Sequence, residues 1–169
     1  MLSRRPALAL GAVLLLLPAC GKAPTAEVRA APSFDLRDLD GGRATLANFK
    51  GKVVVLDFWA TWCGPCLAEL PEYVKFVEKN RGKAVEVVGV VFDSGEPREI
   101  QDFVREHRIT YRQLLGTDDM AEAFGGNQGF PTTFVIDPQG LIRLTVLGST
   151  PDKFERLQKT VDAALGARS

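Results

Sequence analysis

Histidine and cysteine are scarce in this chain, which has a single His107 and three cysteines, Cys20, Cys63 and Cys66. A small secreted scaffold held by a disulfide framework needs more cysteine than that. A structural zinc site takes about four nitrogen or sulfur ligands. Cys63 and Cys66 would need both Cys20 and His107 to reach that number. An excess of charge of one sign is also missing: 21 basic residues face 21 acidic ones. No strongly basic surface for nucleic acid follows from such a balance. Removing residues 1–20 takes out only Arg4 and Arg5, and the remainder is mildly acidic. Long apolar runs are absent too. The run from Ala7 to Leu17, with Gly11 counted as neutral, falls well short of the ~20 residues that cross a membrane as a helix. There is no internal repeat. At 46% apolar and 25% charged residues, the chain reads as one ordinary globular domain with a real core.

What is there centres on Trp62-Cys63-Gly64-Pro65-Cys66. A strand-like run, Val53 to Trp59, precedes it, and a helix-like stretch from Leu67 to about Asn80 follows. A cysteine at a strand-to-helix turn sits at a helix N-terminus, where unpaired N–H groups and the helix dipole favour the thiolate. The thiolate is the species that attacks disulfides. A bridge between cysteines three apart closes a tiny loop and removes little unfolded-chain entropy, so stability is a poor reason for it. Thiol–disulfide exchange is the chemistry this stretch implies.

The first twenty residues read as a targeting segment: Arg4 and Arg5, the apolar run, then Leu17-Pro18-Ala19-Cys20-Gly21. A short apolar run behind a basic start is a secretory pattern. Its end resembles a bacterial lipobox, in which Cys20 is lipidated and becomes the mature N-terminus. Ordinary cleavage, with Ala26 the better site, is the alternative. Either way the domain is exported. Residues 21–32 are rich in Ala and Pro and read as a flexible tether. Residues 33–169 then form the folded domain.

Along that domain, Phe34–Leu39 and Arg43–Leu46 flank Asp40-Gly41-Gly42 as a β-hairpin. Val53–Trp59 is nearly continuous in apolar residues, the mark of a strand covered on both faces, with Asp57 its only charge. The following helix has Pro71 inside it, a kink signal. Val85–Phe92 is a second buried strand. Asp93–Glu96 forms a capping box with Pro97 in the first turn of a helix that places Ile100, Phe103, Val104 and His107 on one face. Tyr111–Leu115, Asp118–Phe124, Thr132–Ile136 and Leu141–Leu147 read as strand, helix, strand and strand. The glycine loop 125–129 opens no helix, so it is not a phosphate cradle. Thr150 caps the last helix with Pro151 at its first position, and Phe154, Leu157, Val161 and Leu165 form its buried stripe. The expected class is α/β: a mixed central sheet with helices on both faces.

Phe58-Trp59-Ala60-Thr61-Trp62-Cys63-Gly64-Pro65-Cys66, with Pro131-Thr132-Thr133-Phe134-Val135-Ile136-Asp137 downstream, resembles the thioredoxin superfamily. The likeness is to its TlpA/ResA-like membrane-anchored thiol–disulfide oxidoreductases, from about residue 33 to the end. It implies a thioredoxin-like fold with an N-terminal β-hairpin and an extra β-α insert between Cys66 and Pro131. The resemblance makes Cys63 the nucleophile and Cys66 the resolving thiol. Gly64 and Pro65 tune the potential, and Gly-Pro is thioredoxin's own dipeptide, so a reductant is expected. Asp57 would be buried behind Cys66 as its base, where many TlpA-like reductases carry asparagine; a side chain reaching solvent is the other reading. Pro131 resembles the family's cis-proline, and Phe130 before it would pair its backbone with an extended substrate. Trp62 shapes the surface beside Cys63 or is an incidental exposed aromatic. Glu96 is a helix cap or a functional acid, and His107 is structural.

The function so implied is an exported protein-disulfide reductase, lipid-anchored through Cys20, with no cofactor, metal or nucleic acid. Its partners would be exported disulfide-containing proteins, such as apocytochrome c or copper-site cysteines, and a membrane thiol carrier as electron donor. A dithiol oxidase or isomerase is an alternative. A peroxiredoxin-like peroxidase is another, although Thr61 lies two residues before Cys63 where that pattern has three. A copper-binding lipoprotein is the non-enzymatic alternative.

Overall fold

The computed structural model describes residues 29–126 and 129–167. The targeting segment, Cys20 and most of the tether lie outside these residues. The elements are β1 (Arg29–Ala30), β2 (Asp35–Arg37), β3 (Arg43–Thr45), β4 (Val53–Trp59), α1 (Gly64–Lys79), β5 (Val85–Val91), α2 (Pro97–Glu106), β6 (Arg112–Leu115), α3 (Asp118–Ala123), β7 (Thr132–Ile136), β8 (Leu141–Leu147) and α4 (Lys153–Gly166).

Six strands form one sheet in the order β1-β8-β7-β4-β5-β6, and β2 and β3 make the separate hairpin. β4, β5 and β6 run parallel, while β7 and β8 are antiparallel additions. The parallel pairs are those joined through helices, as crossover connections require. β4 is central and wholly buried. Its alternation splits the interior in two. Val53, Val55 and Trp59 face a core with α1, α2 and α4. Val54, Leu56 and Phe58 face a second core with the hairpin and α3. Asp57, by the same alternation, falls on the α1 side.

Three boundaries differ from the expectations. Arg29–Ala30, inside the stretch read as tether, pairs with Ile142 and Leu141 of β8, and the Ala31 N–H donates to the Gly140 carbonyl. This edge strand lies at the end of the sheet opposite the β4–α1 turn. α2 is capped at Glu96, whose N–H donates to Glu99 Oε2 at 2.9 Å, so the capping pair begins three residues after Asp93. α4 starts at Lys153 with Asp152 as its N-cap, leaving Thr150 and Pro151 in the preceding turn. α1 runs on through Pro71 as one helix.

Candidate active site

The turn that carries the cysteines is anchored at the end of β4. Trp59 is fully buried there, and its indole N–H donates to Gln113 Oε1 at 3.0 Å. Gln113 reaches it across β5 at Gly89, where an added Cβ would lie 2.1 Å from Gln113 Oε1. Glycine is thus the residue that lets β6 hold the indole. Beyond Trp59, the Thr61 N–H donates to Ser94 Oγ at 2.9 Å and the Cys63 N–H to the Ala60 carbonyl at 3.1 Å. α1 then begins at Gly64, with Cys63 as its N-cap and Pro65 in its first turn. Cys63 Sγ accepts the Cys66 N–H at 3.2 Å, which satisfies one of the helix's free donors. Cys63 and Cys66 form a disulfide with an S–S distance of 2.06 Å. Both are nearly enclosed, Cys63 at 5% exposure and Cys66 at 2%.

A buried polar cluster lies under the same helix. Cys66, Glu69, Leu70 and Tyr73 are buried residues of α1, spaced to share one face. Asp57 is 1% exposed, so its side chain stays inside. Its Oδ1 accepts hydrogen bonds from the Tyr73 and Thr133 hydroxyls, each at 2.7 Å. Thr133 sits directly opposite Asp57 on β7. Lys153 at the start of α4 is 0% exposed. Its Nζ lies 2.5 Å from Glu69 Oε2 and 3.9 Å from Asp57 Oδ1. Burial pushes the Asp57 carboxyl up from 3.8 to about 6, against the pull of Lys153 and of the two hydroxyl bonds, with Glu69 adding a smaller upward push. Burial first and the Asp57 charge second raise the Tyr73 phenol well above its usual range, which keeps it a donor.

The rim of the turn is aromatic. Trp62 is 63% exposed, and its indole N–H donates to the Asp93 carbonyl at 2.8 Å. Its ring meets Phe130 edge-on at 5.8 Å. The Phe130–Pro131 peptide bond is cis, as the resemblance implied. The structure therefore gathers Cys63, Cys66 and Trp62 on one turn, Phe130 beside Trp62, and Asp57 beneath α1. Trp62 is exposed yet held at both its N–H and its ring edge.

Two residues singled out in the sequence sit elsewhere. Glu96 caps α2 and is exposed. His107 ends that helix, is exposed rather than on its buried face, and stacks on Phe103 at 3.8 Å. Lys153, Glu69, Tyr73, Thr133 and Gln113 were not foreseen as site residues. For Glu69 the spacing from Cys66 was the available signal. For Lys153 it was the stripe 153, 157, 161, 164 on α4, an alternative to the one drawn from Phe154. Among the described residues no three His, Cys, Asp or Glu side chains gather as a metal site. No helix among them is long and apolar enough to cross a membrane.

This geometry has known counterparts. The model of the AhpC/TSA family matches residues 28–145. The thiol–disulfide oxidoreductase ResA of Bacillus subtilis is 33% identical over 142 residues, 83% of this chain and 78% of ResA. The thioredoxin-like protein YneN of the same bacterium is 33% identical over 129 residues, 75% of each chain. Among solved structures, a thiol:disulfide interchange protein of the thioredoxin family from Chlorobium tepidum matches with a TM-score of 0.71 at 29% identity, over 83% of this chain and 98% of that one. With its paired cysteines at the head of α1, the chain is a thioredoxin-fold thiol–disulfide oxidoreductase and belongs to the AhpC/TSA family.

Proposed function

We propose that the protein works as a reductant of disulfides in exported client proteins, tethered to a membrane by a lipid on Cys20. The observation that carries the reading is Cys63 at the N-cap of α1, its sulfur already accepting the Cys66 N–H. In the reduced protein the Cys63 thiolate attacks one sulfur of a client disulfide. The client S–S bond breaks, a mixed disulfide forms, and one client thiolate leaves. Cys66 then gives up its proton and attacks Cys63 Sγ. This releases the second client thiol and closes the Cys63–Cys66 bond; two electrons have passed to the client.

Asp57 takes the Cys66 proton in this scheme. One ammonium, Lys153, faces two buried carboxylates, Asp57 and Glu69. A proton on one of them relieves that imbalance. Asp57, titrating at about 6, exchanges a proton readily near neutral pH. Gly64 and Pro65 set the potential between the sulfurs. Trp62, Phe130 and Pro131 form the surface against which the client segment lies. Apocytochrome c and copper-site cysteines are the client classes, and a membrane thiol carrier restores the dithiol.

The test is the potential of the Cys63–Cys66 couple, titrated against glutathione or dithiothreitol. A value of about −250 mV or lower is expected of a reductant, and one near about −150 mV overturns this direction in favour of an oxidase or isomerase. Cys20→Ser is expected to move the protein from the membrane fraction to the soluble one.

A further inference from the structure

On the face of the sheet away from α1 lies a cavity of about 320 Å³. Its inner wall is aromatic: Phe58, Phe92, Phe124 and Phe134. Their rings lock together, with Phe58 5.0 Å from Phe92, 5.4 Å from Phe124 and 5.2 Å from Phe134. Phe130 also lines it. That residue is the link to the redox turn, since its ring stacks on Phe92 at 5.4 Å and meets Trp62 at 5.8 Å. Two ring contacts therefore lead from the residue before Cys63 to the cavity wall. That is the scale of about three residues of extended chain at ~3.3 Å each.

Among the described residues, the charged ones that line the cavity all have one sign: Asp93, Asp118 and Glu122 are exposed at it, and none of the described Lys or Arg residues lines it. Among the described residues none of the three acids is in an ion pair. Arg29 approaches the end of α3 but donates to the Phe124 carbonyl at 2.8 Å. The fold has not neutralised this rim. The volume is at the low end of ligand pockets, which run from ~300 Å³ upward. That suits one large side chain.

We propose that this cavity is a client subsite. It takes a large apolar side chain, flanked in the client chain by a Lys or Arg, from the segment next to the disulfide that Cys63 attacks. This rests on the reading of Cys63 as the nucleophile toward client disulfides. The aromatic wall supplies the burial and the acidic rim selects the neighbouring cation.

The experiment uses the reduced full chain and three disulfide peptides that differ only about three residues from the cysteine, where they carry Phe-Lys, Phe-Glu or Ala-Ala. Each protein is read by the ratios of kcat/KM between peptides, so a general loss of activity cancels. The native chain is expected to prefer Phe-Lys over Ala-Ala by about tenfold or more at low salt, the discrimination an apolar pocket delivers. The preference of Phe-Lys over Phe-Glu is expected to shrink as salt rises. Ala121→Phe, on the half-exposed side of α3 that lines the cavity, is expected to abolish the preference for Phe. Glu122→Lys, at an exposed position, keeps the test open should the filled cavity fail to fold; Asp93 and Asp118 remain, so it is expected to shrink the preference of Phe-Lys over Phe-Glu. Equal rates for all three peptides in the native chain overturn the subsite and leave the reductase reading standing. Unchanged ratios in both variants also overturn it. A native chain that reduces neither these peptides nor hydroxyethyl disulfide overturns both readings.

Discussion

The two cores on either side of the sheet differ in what they enclose besides apolar residues. The one facing α3 and the hairpin is nearly pure hydrocarbon, with Phe34, Phe49, Phe58, Phe92, Phe124 and Phe134 among its buried members. The one under α1 and α4 also contains apolar residues, but Asp57, Glu69, Lys153, Tyr73 and Thr133 are buried within it. Both are enclosed by the same strand β4, so the difference is not one of depth. A buried ion cluster is a weak source of stability, because desolvation offsets most of the attraction. Apolar burial stabilises both sides. Only the side near the cysteines also encloses an ion cluster that costs stability, which the proposed proton transfer from Cys66 to Asp57 would explain.

Four variants break or sharpen that contrast. The largest effects come from removing one member of each core. Lys153→Met leaves Glu69 and Asp57 buried without their cation and is expected to cost about 3–5 kcal/mol at pH 8. The cost shrinks as pH falls toward about 6, because without the pull of Lys153 the Asp57 carboxyl takes up its proton above that value. Phe58→Ala is expected to cost a similar ~3–5 kcal/mol through the void it leaves, but with no dependence on pH. Urea unfolding at pH 5 and pH 8 separates the two.

Asp57→Asn should act in the other direction. The folded carboxyl titrates at about 6 against 3.8 unfolded. The folded state therefore binds the proton more tightly, and stability is lost as pH rises through this window. The variant escapes that loss, gaining up to about 3 kcal/mol above pH 7 and nothing at pH 3 or below. In the proposed scheme, where Asp57 is the base for Cys66, its redox turnover falls at neutral pH. The smallest effect belongs to Trp62→Ala. Its ring is mostly in solvent, so stability should change by less than about 1 kcal/mol, while KM for peptide clients rises.

The aromatic core was the easier to read. Val53–Trp59 and Thr132–Ile136 match their expected bounds because runs of β-branched, aromatic and apolar residues leave little choice of structure. The Cys63–Cys66 pair and Pro131 were legible as motifs. The polar core was mostly not. A lysine reads as surface, and only the fold, by bringing the first turn of α4 over Asp57 and Glu69, makes Lys153 an interior residue. Taking Thr150-Pro151 as the start of that helix also displaced its buried face. β1 escaped notice for a similar reason. Two residues in an Ala-rich stretch have no pattern of their own and become strand only by pairing with β8, more than a hundred residues on.

That edge strand has a consequence for how the molecule stands. β1 joins the sheet beside Leu141 and Ile142, at the pole where β4 begins, while the cysteines lie at the pole where β4 ends. If Cys20 carries the lipid we propose, eight residues separate it from Arg29, and a tether would enter the domain at its foot. The redox turn would then lie one strand length farther from the membrane. A membrane-bound donor of the proposed kind would have to rise to meet it, or the domain would have to tip over on its tether.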